Sequence, residues 1–135
     1  MVFSFNVPFV RGKARARHRK GSGVEYTPRP TAQAMDAIKR EFLRIGGFPA
    51  PPGIPVTLHV TTLRPPRARL SKQHISEPDL QKPDIDNVAK LVMDALNGVA
   101  WQDDSQVTQL VAGKCDRERG VKPTTYVWVK WEEDE

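Results

Sequence analysis

Residues 82–107 read KPDIDNVAKLVMDALNGVAWQDDSQV, and they contain the clearest structural pattern of the chain. Apolar residues at spacings of three and four predict a helix over about 87–97. Gly98 is placed to end this helix, and Asp86 is placed to cap its start. One amphipathic helix therefore lies between two short turns that are rich in aspartate.

The rest of the chain predicts a second helix and four strands. An apolar stripe predicts a helix from about Thr31 to Ile45, with Thr31 as its N-cap. Alternation of apolar and polar residues predicts strands over 2–7, 56–63 and 124–131, and residues 106–115 are also strand-like. We expect the last two strands to form a hairpin. The order β-α-β-α-β-β predicts an α/β fold, a small mixed sheet with two packed helices, in a single domain over 1–135.

The charges of the 135-residue chain are unevenly distributed. Residues 1–83 carry 15 Lys and Arg against 5 Asp and Glu, whereas residues 84–135 carry 6 against 11. The basic loop, residues 11–24, holds six basic residues and no acidic one, while residues 132–135 form an acidic tail. A basic half predicts a polyanionic partner, most simply nucleic acid. The acidic half is either solvated or holds a cation.

Several classes of protein are excluded by the sequence. No apolar run is long enough to span a bilayer, and the N-terminus has its charges after the apolar stretch, the reverse of a signal peptide. Cys115 is the only cysteine, which excludes an internal disulfide and a cysteine-based zinc site. The sequence contains no glycine-rich phosphate loop, so we expect no nucleotide cofactor. We expect a cytoplasmic protein that does not contact membranes.

Asp84, Asp86 and Lys90 are candidates for chemistry at the start of the predicted helix. Asp84 and Asp86 are two residues apart in an extended stretch, so both side chains point to one side. Paired carboxylates are ligands that Mg²⁺ prefers, although one of them could simply cap the helix. Lys90 lies one turn after Asp86, with Asp94 a turn further. These residues form either a surface ladder of charges or a metal site with a cation that stabilises a phosphate.

A second pair of acids, Asp103 and Asp104, precedes the next strand. We expect this strand to return along the helix and to bring Asp104 to Asp86. Three carboxylates would then form a divalent-metal set suited to phosphodiester hydrolysis. The alternative is an ordinary turn at the entry of a strand.

The same stretch resembles the signature of the RusA-type Holliday-junction resolvases. The motifs are D-x-D-N, a lysine four residues after the second aspartate, D-A-L-N-G, and then an aromatic residue followed by D-D-x-Q-V. The YTP before the first helix and the basic loop are also similar to that family. The resemblance covers about residues 3–131. One departure is the loop 74–81, HISEPDLQ, which lacks a dense arginine run beside the acids.

This resemblance implies a Mg²⁺-dependent homodimer, of a kind common in bacteria and prophages, that cuts four-way DNA junctions by paired, symmetric nicks in recombination and repair. Mn²⁺ is a possible substitute for Mg²⁺. The implied metal ligands are Asp84, Asp86 and Asp104, with Lys90 as the essential lysine and Asp103 as a less critical partner.

Ten basic residues are predicted DNA contacts, unless they only form solvated surface. They are Arg11, Lys13, Arg15, Arg17, Arg19, Lys20, Arg64, Arg67, Arg69 and Lys72. His74 is either a solvated loop residue or a contact to DNA or metal. Trp101 could stack on a base, but packing over the helix end is favoured. Two rival functions stay open: a metal-dependent nuclease for other branched DNA, such as flaps or forks, and a non-enzymatic nucleic-acid-binding module.

Overall fold

Eight strands, two helices and one 3-10 turn make up the described part of the chain. The computed structural model describes residues 1–14, 17, 18, 21, 23, 25–67 and 76–133, with the backbone alone for Arg17 and His18. The strands are β1 Val2–Val7, β2 Arg17–His18, β3 Glu25–Tyr26, β4 Val56–Leu63, β5 Ser76–Glu77, β6 Val107–Lys114, β7 Arg117–Glu118 and β8 Thr124–Trp131. The helices are α1 Arg29–Arg44 and α2 Ile85–Leu96, and the 3-10 turn is Asp104–Gln106.

Four of the strands form one mixed sheet in the order β1-β8-β4-β6. β8 runs antiparallel to both β1 and β4, whereas β6 runs parallel to β4. Along β4 every second residue is buried, as a strand covered on one face requires. The predicted α/β fold with a small mixed sheet and two helices is confirmed.

The predicted hairpin between the last two long strands is wrong. β4 lies between β6 and β8, so these two strands are not neighbours. The reason is the connection through α2: a strand, a crossover helix and a second strand form a parallel pair, which places β6 beside β4. β8 then occupies the free side of β4.

Both helices begin two residues earlier than the sequence pattern predicts. α1 starts at Arg29, with Pro28 at the N-cap position, and Thr31 is buried inside its first turn instead of capping it. A proline in the first turn is tolerated because that turn needs no backbone donor, and here Pro30 occupies it. α2 starts at Ile85, with Asp84 instead of Asp86 at the N-cap position. No helix in the described ranges is long and apolar enough to cross a membrane.

The core lies between the sheet and the two helices. Phe42 on α1 is fully buried and meets Phe3 and Phe5 edge to face, with ring centroids 5.4 and 6.1 Å apart. β6 differs from the other long strands because most of it is exposed. Leu110 and Val111, which point to opposite faces of this edge strand, are each 45% exposed. One edge of the sheet therefore presents uncovered apolar side chains.

Candidate active site

The first turn of α2 presents two exposed carboxylates. Asp84 has an extended backbone at the N-cap position, but its side chain makes no capping hydrogen bond. It accepts a hydrogen bond from Lys82 Nζ at 2.7 Å instead, which raises the pKa of Lys82. Asp86 lies in the first turn, where the helix dipole favours a negative charge. Helix capping therefore does not account for the side chain of Asp84.

Lys90 lies on the same side of α2, one turn after Asp86, and its side chain is exposed. The surface ladder Asp86–Lys90–Asp94 does not form, because Asp94 is paired with Lys13 of the basic loop. Within the described ranges Lys90 has no ion pair or hydrogen bond with another side chain. Its ammonium group is thus available to an anion that approaches the first turn of α2.

The start of the basic loop lies directly against this turn. The backbone N–H of Lys13 donates to the carbonyl of Asn87 at 3.0 Å. Gly12 packs so closely that a Cβ there would lie 2.8 Å from Pro83 Cβ and 3.0 Å from Asn87 Cβ. Residues 11–13 of the basic loop are therefore fixed beside the two aspartates. Arg11 is exposed at the same place.

A buried ion cluster supports the turn from the side of the sheet. Its centre is Asp79, whose side chain is completely buried and receives two hydrogen bonds from Arg64, at 2.5 and 2.8 Å. Lys114 and Arg117 approach the same carboxylate at 3.6 and 3.3 Å. Burial would raise the pKa of Asp79, but the hydrogen bonds of Arg64 and the charges of Arg64, Arg117 and Lys114 together lower it. We call Asp79, Arg64, Lys114 and Arg117 the Asp79 cluster.

At the other end of α2, Asp103 and Asp104 are fixed by neutral donors. Asp104 Oδ1 accepts a hydrogen bond from the indole N–H of Trp101 at 2.8 Å. Asp103 Oδ2 accepts from the backbone N–H of Ser105 at 2.9 Å in a capping box with Gln106. Hydrogen bonds from the Ser105 side chain and then from its backbone N–H lower the pKa of Asp103. Trp101 is fully buried, which confirms packing over the helix end. Asp104 is half-buried, and its Oδ2 atom does not take part in the hydrogen bond with Trp101.

The two acidic sites lie at opposite ends of α2. Arg64, just after β4, donates to the carbonyl of Lys82, and Lys114, at the end of β6, donates to the carbonyl of Gln81. Gln106, just before β6, donates to the carbonyls of Pro51 and Ile54, ahead of β4. The expected return of the strand therefore occurs, but it brings Lys114 to the first turn of α2, not Asp104. The twelve residues of α2 separate the sites by about 18 Å.

Within one chain, the predicted metal ligands Asp84, Asp86 and Asp104 thus do not lie close together. Within the described ranges, no group of three or more His, Cys, Asp or Glu side chains is arranged to hold a metal ion. The donor chemistry suits Mg²⁺, since all three residues offer carboxylate oxygen. One chain provides two of these carboxylates at the first turn of α2 and the third at the far end.

The other predicted contacts divide into described and undescribed residues. Arg67 is exposed and pairs with Glu77 at 3.4 Å, and this interaction lowers the pKa of Glu77. Only 15% of the Arg64 side chain is exposed, and its role as a DNA contact stays a prediction. The side chains of Arg15, Arg17, Arg19, Lys20, Arg69, Lys72 and His74 lie outside the described residues.

The sequence pattern missed the ion cluster and the packing of Gly12. In the sequence, Asp79 is only an acidic residue of the loop 74–81, which departs from the family signature. Nothing in the sequence links it to Lys114 or Arg117, which are 35 and 38 positions further along the chain.

Comparison with known families identifies the family of this chain. A family model described as Endodeoxyribonuclease RusA matches residues 7–130, which include both ends of α2 and the basic loop. A comparison with curated proteins gives no match. Because the match spans most of the chain, the protein belongs to the RusA endodeoxyribonuclease family.

Proposed function

We propose that this chain is a Mg²⁺-dependent endonuclease that resolves four-way DNA junctions by paired, symmetric phosphodiester hydrolysis in recombination and repair. The observation that carries the proposal is the first turn of α2. There Asp84 and Asp86 are exposed beside the start of the basic loop, and among the described residues Lys90 has no ion pair or hydrogen bond with another side chain. The side chain of Asp84 makes no capping hydrogen bond, and the charge ladder from Asp86 to Asp94 does not form.

Each group has a distinct role in the proposal. Asp84 and Asp86 hold the divalent cation, either Mg²⁺ or Mn²⁺. When bound, the ion polarises the phosphate and lowers the pKa of a water molecule. Lys90 offsets the negative charge that develops on the phosphate, and Arg11 with the rest of the basic loop binds the DNA backbone.

The split between the two ends of α2 supports a homodimer. If Asp104 is a ligand together with Asp84 and Asp86, it must come from a second chain, because about 18 Å separates the two ends within one chain. A two-fold axis that sets the two α2 helices antiparallel brings the far end of each helix to the first turn of the other. Such a dimer has two equivalent sites, as paired symmetric nicks require.

β6 is the surface that we propose for this dimer. Residues 107–113 of this edge strand carry no charge, so the protection usual for free edges is absent, and Leu110 and Val111 are exposed at its centre. Antiparallel pairing of two β6 strands places the start of one strand beside the end of the other. The start follows Asp104, and the end is Lys114, which contacts the segment before Asp84.

The dimer surface is tested by placing a charge on each edge of the sheet. Leu110→Lys on β6 is expected to give a monomer with strongly reduced cleavage, because a buried charge opposes pairing of the strands. Val2→Lys on β1, the opposite edge, alters a residue of similar exposure and should leave the dimer intact. Light scattering coupled to gel filtration measures both. A dimeric and active Leu110→Lys variant would contradict this surface.

The function itself is tested with purified protein and a synthetic four-way junction. Incubation with and without Mg²⁺, followed by a denaturing gel, should show symmetric nicks in two strands only when Mg²⁺ is present. Fork, flap and linear duplex substrates are compared at the same concentration. Equal cleavage of forks or flaps would indicate the broader nuclease, and binding without Mg²⁺-dependent cleavage would indicate a non-enzymatic module.

A further inference from the structure

We propose that the Asp79 cluster is a positioning device for the segment Gln81–Asp86, which carries the first two aspartates. This inference rests on the proposed function and assigns a role to residues outside the proposed ligand set. Asp79, Arg64, Lys114 and Arg117 touch neither Asp84 nor Asp86 directly. They act through the backbone that leads to these residues.

The cluster contains more cations than a buried carboxylate needs. The bidentate pair between Arg64 and Asp79 is already a complete ion pair. Lys114 and Arg117 add two further positive charges, with 15% and 9% of their side chains exposed. Neutralising Asp79 therefore does not explain why three cations converge there.

The three cations also donate hydrogen bonds to the segment that precedes Asp84. Arg64 donates to the carbonyls of Gln81 and Lys82, at 3.1 and 3.0 Å. Lys114 donates to the Gln81 carbonyl at 2.6 Å, and Arg117 donates to the Gln81 side chain at 2.9 Å. Each of the three cations thus contacts both Asp79 and Gln81, and Arg64 also holds the carbonyl of Lys82.

The cations are themselves held by the sheet. Arg64 directly follows β4, Lys114 is the last residue of β6, and Arg117 begins β7. Backbone hydrogen bonds from Cys115 to Thr62 and from Glu118 to Arg64 fix these positions relative to one another. The direction of Asp84 is thus set by the ends of β4 and β6, as precise catalysis requires of groups that surround the reacting atoms.

The test is Lys114→Met, which keeps the length of the side chain and removes the donor to Gln81. Asp79→Asn is the less useful variant, because it leaves three cations without their partner and risks unfolding. Lys130→Met on β8 is the matched control, since it makes the same chemical change on the sheet away from this segment. Lys114→Arg restores a donor and should recover function.

Two readouts are measured on each variant. For Lys114→Met we expect single-turnover junction cleavage to fall about tenfold or more, while junction affinity in EDTA stays within about twofold of the wild type. We also expect faster amide hydrogen exchange in residues 81–87, with unchanged exchange in β4 and β8. Lys130→Met should match the wild type in both readouts.

Three results would overturn the proposal. Wild-type cleavage with unchanged exchange in 81–87 would show that Lys114 does not position the segment. Equal losses of affinity and cleavage would make it a DNA contact, and faster exchange throughout the sheet would make the cluster merely structural. Since exchange is measured without substrate, it tests positioning even if the wild type fails to cut junctions, which would refute the proposed function separately.

Discussion

The two ends of α2 hold their carboxylates in different ways. At the first turn, Asp84 is paired with Lys82, and the Asp79 cluster adds surplus positive charge nearby. At the far end, Asp103 and Asp104 are held by a backbone N–H and an indole N–H, and neither forms an ion pair with a cation of the described residues. One end therefore combines acids with cations, while the other presents fixed negative charge. This difference in charge supports the proposed dimer, in which the first turn of one chain contacts the far end of another.

The largest expected effect comes from neutralising one acid at each end. Asp86→Asn and Asp104→Asn keep the shape of the side chain, and the asparagine oxygen at position 104 can still accept from Trp101. Cleavage of a four-way junction in Mg²⁺ should fall to near background in both variants, because each removes a proposed ligand. Metal-free affinity for the junction should stay level or rise, since a repulsive charge is lost.

A pair of assays measures this, a gel-shift titration in EDTA and a Mg²⁺ cleavage time course. Asp36→Asn on α1 is the control, because this acid is exposed and pairs with Arg40 of its own helix. If either active-site variant cuts at the wild-type rate, that aspartate is not a required ligand. If both lose binding as severely as cleavage, the carboxylates are structural.

Lys90→Ala should have the next largest effect. We expect a folded dimer whose turnover is reduced about 10²-fold or more, because the lysine acts mainly on the transition state. The side chain is exposed on α2, so its truncation leaves no cavity. Single-turnover kinetics measure the effect against Lys39→Ala on α1, which is also exposed. Near-normal cleavage by Lys90→Ala would reduce this residue to a surface charge.

Gly12→Ala tests the contact between the basic loop and the first turn. The added Cβ would press on Pro83 and Asn87, so the turn or the loop must shift, and we expect cleavage to fall about tenfold. The wild type is the reference, and light scattering coupled to gel filtration checks that the variant keeps the oligomeric state of the wild type. The two proteins are compared in the same cleavage assay. Equal activity of both would show that the close packing of Gly12 is not needed.

The smallest expected effect concerns the salt dependence of binding. If the basic residues neutralise six or more phosphates per dimer, the plot of log K against log[salt] should have a slope of about −5 or steeper. Replacing Arg15, Arg17 and Arg19 by Glu should flatten it. Gel-shift titrations over a range of salt concentrations give the slope. An unchanged slope in the triple variant would show that this part of the loop does not contact DNA.

Local patterns in the sequence predicted the main elements well. Alternation along β4 and the apolar stripe of α2 depend on neighbours a few positions apart, and both elements are present. The partner of β6 was predicted wrongly because strand order depends on which distant strands compete for β4. The Asp79 cluster was missed for the same reason, since its four members come from widely separated positions. The distance between Asp86 and Asp104 could not be predicted either, because it depends on the direction of β6 relative to α2.

The central claim is that carboxylates from the two ends of α2, contributed by different chains, act in one site. Asp86→Asn and Asp104→Asn, each inactive alone, are mixed after unfolding and refolding together, then assayed on a four-way junction in Mg²⁺. A mixed dimer holds one site with both changes and one intact site, so nicking should recover to about a quarter of the wild-type level, in one strand per junction. Activity that stays at the background of the separate variants would contradict the shared site.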